Sequence, residues 1–155
     1  MATKEDAKTR RDRELGELLQ ELRVAITGVQ VLFAFLLSLP FTQRFDELDV
    51  TQHRVYFAAV LTAAMSSLLL IAPAANHRLL FREGLKEGLL RAANKVAIAG
   101  LLMLGAGIGL SLYLVTTMVF TTTLAVLVAT AVGLLTLFVW FVFPRLLKED
   151  EERRG

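Results

Sequence analysis

The chain has no cysteine, which excludes disulfides, thiolate metal sites, iron–sulfur clusters and a cysteine nucleophile. Proline occurs 3 times, at Pro40, Pro73 and Pro144, each near the end of an apolar block. No block therefore carries the mid-span break on which many transporter sites are built. Neither sign of charge dominates: 17 Lys and Arg stand against 15 Asp and Glu, a formal net charge of +2. No global field argues for a nucleic-acid partner. Ionisable side chains are also missing from the central part of every long apolar block. A proton-coupled carrier normally holds such a group at membrane depth, so this absence counts against proton-coupled antiport.

What is present is apolar surface. Hydrophobic residues make up 55% of the 155-residue chain, above the 45–50% or so of a soluble domain, and mean hydropathy is +0.56. The excess lies in four blocks, which predict membrane spans at about 24–41, 55–75, 96–116 and 118–143. Residues 1–13 read as a solvated, mixed-charge tail. The first 20 or so residues carry too many acids for a cleavable targeting sequence, so the first block reads as a retained anchor. From Glu14 the pattern is helical, with Leu15, Leu18, Leu19 and Leu22 on one face, an amphipathic helix leading to Arg23. The expected organisation is a cytoplasmic tail and amphipathic helix over 1–23, a four-span domain over 24–143 and a charged cytoplasmic tail over 144–155.

Between spans two and three, Arg78, Arg82 and Lys86 repeat at four-residue spacing with Lys95 nearby, and Phe81, Leu85 and Leu89 share another face. This predicts a short interfacial helix whose basic face meets anionic lipid headgroups. Pro40 should end span one and Pro73 should end or kink span two. The uncharged junction Thr116-Thr117 reads as a tight turn. The fold class expected is all-α: a four-helix transmembrane bundle with an N-terminal amphipathic helix and a short interfacial helix.

An even number of spans places both termini and the basic connection on one side. That side holds every Lys and Arg except Arg44 and Arg54, so the positive-inside rule makes both termini cytoplasmic. Phe41, Phe45, Tyr56, Phe57 and Phe120 mark the outer boundary, and Phe81, Trp140, Phe141 and Phe143 the inner one.

Small residues mark helix contacts, because lipid is as apolar as leucine and offers no hydrophobic drive to association. Span three carries Ala93, Ala97, Gly105 and Gly109 in a four-residue register, which suits packing within the bundle or a contact between protomers. Span one places Thr27, Gln30 and Ser38 on a narrow stripe with Arg23 at its cytoplasmic end. Buried polar groups need partners, so Gln30 is expected to hydrogen-bond a neighbouring helix of the bundle, or else to line a solute path. In the outer loop Asp46, Glu47 and Asp49 offer too few converging oxygens for a metal. Asp49 or Thr51 is expected to cap span two. His53 and His77 fall on opposite sides of the membrane, and no serine–histidine–acid set is supported. No catalytic residue, cofactor or metal ligand is expected.

Glu21-Leu-Arg-Val, Gly28-Val-Gln-Val-Leu-Phe-Ala-Phe-Leu-Leu, Pro40-Phe and Gln43-Arg-Phe45 resemble a bacterial family of short four-span membrane proteins of unknown function. Ile71-Ala-Pro-Ala-Ala, His77-Arg-Leu-Leu-Phe-Arg82 and Ala92-Ala-Asn-Lys-Val-Ala extend the likeness. It covers roughly residues 14–115. Some relatives carry a sodium:proton antiporter label; the resemblance implies the four-span topology and no catalytic or binding residue. The function expected is a non-enzymatic structural or regulatory subunit of the bacterial plasma membrane. Its expected partners are anionic lipid, another membrane protein or further copies of itself. The alternative is a small oligomeric ion channel or transporter.

Overall fold

The computed structural model describes residues 4–80 and 86–146, with side chains described for 13, 16–75 and 92–146. Among these residues there is no strand. Helix α1 runs Lys4–Ser38, α2 Val50–Leu80, α3 Lys86–Val119 and α4 Thr122–Leu137, the last continuing through a π-helical turn at Phe138–Val142. Four stretches are long and apolar enough to cross a membrane, as a multi-pass membrane protein requires: Gly16–Phe41, Val50–Ala75, Ala92–Val119 and Thr122–Leu146.

The helices outrun the apolar blocks that announce them. α1 is one helix of 35 residues from Lys4, so the expected solvated tail is helical from that residue and continuous with the span. Its first turns carry Lys, Glu, Arg and Ala, which sustain helix without burial. Arg13 and Glu17 add an exposed i,i+4 ion pair at 3.5 Å, worth only a few tenths of a kcal/mol. Pro40 does end α1, sitting in the 3-10 turn Leu39–Phe41. Pro73 does not end α2: it is buried within a helix that continues to Leu80.

The separate interfacial helix expected between spans two and three is not formed by the described residues. Arg78 belongs to the end of α2 and Lys86 to the start of α3. Arg82 lies outside the described residues, as do the side chains of Arg78 and Lys86, and the tail beyond Leu146. The turn expected at Thr116-Thr117 falls instead at Phe120-Thr121. Thr117 stays helical by donating its hydroxyl to the Leu114 carbonyl at 2.7 Å. Thr121 supplies the cap of α4, its Oγ1 accepting from the Leu124 N–H at 3.4 Å.

The chain forms two compact units, Met1–Phe35 with Ala63–Leu104 and Leu36–Thr62 with Gly105–Gly155. In the first, α2 and α3 meet at Gly100. A Cβ placed there would lie 2.8 Å from Cγ and Cδ2 of Leu70 and 3.3 Å from Cβ of Leu69, so any larger residue would force Leu70 to shift, and glycine allows the approach as it stands. That closeness lets the buried Ser66 hydroxyl reach the Gly100 carbonyl at 2.8 Å. In the second unit Gly105 receives α4, with Thr136 Cγ2 at 3.3 Å and Trp140 Cζ3 at 4.0 Å from its virtual Cβ. Buried Ser111 bonds back to the Gly107 carbonyl at 2.7 Å. No buried side-chain polar atom among the described residues is left without a partner.

Apart from Thr116 near its end, burial along α3 falls on Ala93, Ala97, Gly100, Leu104, Gly107, Ser111 and Leu114, and along α2 on Ala59, Ala63, Ser66, Leu70 and Pro73. Both alternate steps of four and three, the 3.5-residue repeat of left-handed helix packing. This corrects the four-residue register read for span three. Successive steps of four rotate about 40° each around a 3.6-residue helix, so the register leaves the contact face. Gly109 accordingly stands open, with nothing within 4 Å of its virtual Cβ.

Candidate functional site

The connection between α1 and α2 is a run of turns. Thr42 closes the first, its N–H and Oγ1 both donating to the Leu39 carbonyl at 3.0 and 2.7 Å. A second turn, Gln43–Phe45, follows. Asp49 then begins α2 through a reciprocal box. The Gln52 N–H donates to Asp49 Oδ1 at 2.8 Å, and the Asp49 N–H donates to Gln52 Oε1 at 2.9 Å. Of the two expected caps, Asp49 performs the role.

Gln52 has a second task. Its Nε2 donates to Thr117 Oγ1 at 3.1 Å, and that hydroxyl in turn donates to the Leu114 carbonyl. Beside it, Arg44 Nη1 donates to the Met118 carbonyl at 3.0 Å, satisfying an end carbonyl of α3 with a cation where the helix dipole is negative. Phe45 meets the rings of His53 and Tyr56 edge-on, with centroids 5.0 and 4.9 Å away. Arg44 thereby clasps the loop to the end of α3, Gln52 ties the start of α2 to the same end, and Phe45 packs the loop onto α2. A polar recess of about 150 Å³ opens between Arg44, Glu47, Leu48, Gln52, Thr117 and Met118. Sequence reading passed over Gln52, although Asp49-Val-Thr-Gln52 has the spacing of a capping box.

The α1 stripe is placed differently from expectation. Arg23, Thr27, Gln30 and Ser38 are all exposed. Thr27 donates to the Arg23 carbonyl at 3.0 Å, but Gln30 has no hydrogen-bond partner among the described residues. The expected bond from Gln30 to a neighbouring helix of the same chain is therefore not formed. The physical reason is rotation. The buried residues Leu22, Val29 and Leu36 recur every seven positions, and Gln30 lies about 100° round the helix from that line. Of the candidate basic face only Lys95 has a described side chain, and it is exposed.

A family model described as a family of unknown function, DUF6328, matches residues 4–144. The chain belongs to that family. The match takes in all four helices of this DUF6328 member, including α4. No curated protein and no solved structure matches. The clasp and the α1 stripe both fall within the matched residues.

In this DUF6328 chain a shallow apolar groove of about 450 Å³ is lined by Ala106, Gly109, Leu110 and Tyr113 of α3 with Val126, Ala129 and Thr130 of α4. Among the described residues no group of three or more His, Asp or Glu is placed to hold a metal ion.

Proposed function

We propose that the protein is a non-enzymatic structural or regulatory subunit of a bacterial plasma membrane, with its N- and C-termini cytoplasmic. The continuity of α1 supports this reading most directly. Its 35 residues extend about 52 Å, against about 30 Å of hydrocarbon. Some 20 Å of charged helix therefore stands on the basic side of the membrane as a rigid continuation of the span. A partner or anionic lipid headgroups engaged by that extension, or by Arg78, Arg82, Lys86 and Lys95, would bias the span itself. In this organisation residues 1–23 are a cytoplasmic arm, 24–143 the membrane domain and 144–155 a cytoplasmic tail.

A small oligomeric channel or transporter is the second reading, favoured by the exposed polar stripe of Arg23, Thr27, Gln30 and Ser38. The sodium:proton antiporter label of some relatives is a version of it, and the uncharged span interiors speak against that version. The discriminating experiment is reconstitution of the purified chain in liposomes loaded with sodium- and pH-sensitive dyes. No flux above that of empty liposomes is expected. Sustained, protein-dependent sodium or proton movement would replace the subunit reading with the transporter one.

A further inference from the structure

We infer that α1 is the contact through which two copies of this chain pair in the membrane, with their Gln30 side chains bonded to each other. The inference rests on the membrane reading but not on which side the termini face. Gln30 lies 14 residues from Gly16 and 11 from Phe41, the ends of its span, so its amide sits at mid-depth. It is exposed and has no partner among the described residues. Water is absent at that depth, and hydrocarbon offers neither a donor nor an acceptor.

The missing partner can be specified. A carboxamide donates and accepts, so it is complementary to a second carboxamide. Copies inserted with one topology are related by an axis along the membrane normal. A two-fold about that axis makes their α1 helices parallel and brings each residue of the seam to its own counterpart at equal depth. The residues flanking Gln30 fit such a crossing. Arg23, Thr27, Gln30, Ala34 and Leu37 follow one another in steps of four and three, a packing repeat of its own, and all five are exposed. Thr27 and Ala34, on either side of Gln30, are small enough for close backbone approach. Arg23 falls at the headgroup end of the seam, where its long stem lets the charge reach water. A single polar residue within an apolar seam is a recognised means of fixing register and partner number.

The absence of native cysteine allows a direct test in membranes carrying the full chain. Thr27→Cys and Ala34→Cys, each with Gln30 intact, should give an oxidant-dependent disulfide dimer. Gly28→Cys and Phe35→Cys, which lie on another side of α1, should not. Adding Gln30→Leu to Ala34→Cys should raise the dimer dissociation constant roughly 3- to 30-fold, measured by energy transfer between labelled chains, whereas Gln30→Asn should retain most of the association. Equal cross-linking at all four positions, none at Thr27 and Ala34, or adducts to a different protein would overturn the inference. So would dimerisation indifferent to Gln30→Leu. Recovery of the chain in the soluble fraction would instead refute the membrane reading itself.

Discussion

Gly100→Ala tests the contact of α2 with α3. The added methyl would lie 2.8 Å from two carbons of Leu70, where carbon contacts prefer about 3.5–4.0 Å. Leu70 is fully buried, so either its side chain changes rotamer within the packed contact or α2 shifts, and each costs packing energy. A shift of α2 also stretches the 2.8 Å bond from Ser66 to the Gly100 carbonyl. Overpacking costs about 1–3 kcal/mol, and alanine returns about 1 kcal/mol of helix propensity. With the weakened hydrogen bond included, the net loss is about 1–2 kcal/mol. Gly109→Ala is the matched control: nothing lies within 4 Å of its virtual Cβ, so the change should be neutral or stabilising by up to about 1 kcal/mol. Unfolding in mixed micelles, followed by far-ultraviolet circular dichroism, compares the two. A double-mutant cycle adds a sharper reading. Leu70→Ala alone should cost about 2–5 kcal/mol, but in its background Gly100→Ala loses its penalty, giving a coupling of at least about 1 kcal/mol. If Gly100→Ala matched or exceeded the parent protein, or the cycle showed no coupling, the close crossing of α2 and α3 would be wrong.

The clasp predicts that Gln52→Ala, which removes a cap partner and the bond to Thr117, lowers stability by about 1–3 kcal/mol. Thr51→Ala should change it by less than about 0.5 kcal/mol; thermal unfolding of both in detergent tests the difference. Reporter fusions within the loop at Asp49 and after Gly155 should report opposite sides of the membrane, and agreement between them would defeat the four-span topology. Replacing Arg78, Arg82 and Lys86 together with glutamine should deplete acidic lipid in copurified material, each basic residue near such a surface being worth about 1 kcal/mol. An unchanged lipid profile would leave these residues as topology determinants alone.

The four candidate spans were legible because each apolar block is long enough to cross a membrane. Their ends were not, because a helix does not stop where hydrocarbon stops. Lys4 to Glu14 hold a majority of good helix formers (Lys, Glu, Ala and Arg) around Asp6, Thr9 and Asp12, Thr117 satisfies its hydroxyl without leaving the helix, and Pro73 is accommodated inside α2. Gly100 escaped notice because a four-residue register was followed where the packing repeat is 3.5. Gln30 stands out in the sequence as a polar residue within an apolar block. Which way it faces depends on how α1 is rotated against helices distant in sequence, and no local pattern carries that information.

The position of α4 bears on how this protein opens. It is the last of the four helices in chain order. Among its described residues Ala125 alone is buried, while Leu127, Leu134 and Leu135 are 60–63% exposed. Leaving its place would cost the contacts around Gly105 and Ala125, and in the membrane reading lipid accepts an undocked apolar helix without the hydrophobic penalty that water would impose. The expected outcome is weaker hydrogen-exchange protection of the α4 amides than of those in α2 and α3. The same looseness makes α4 the span at which bilayer thickness, lipid composition or a passing partner helix is felt first.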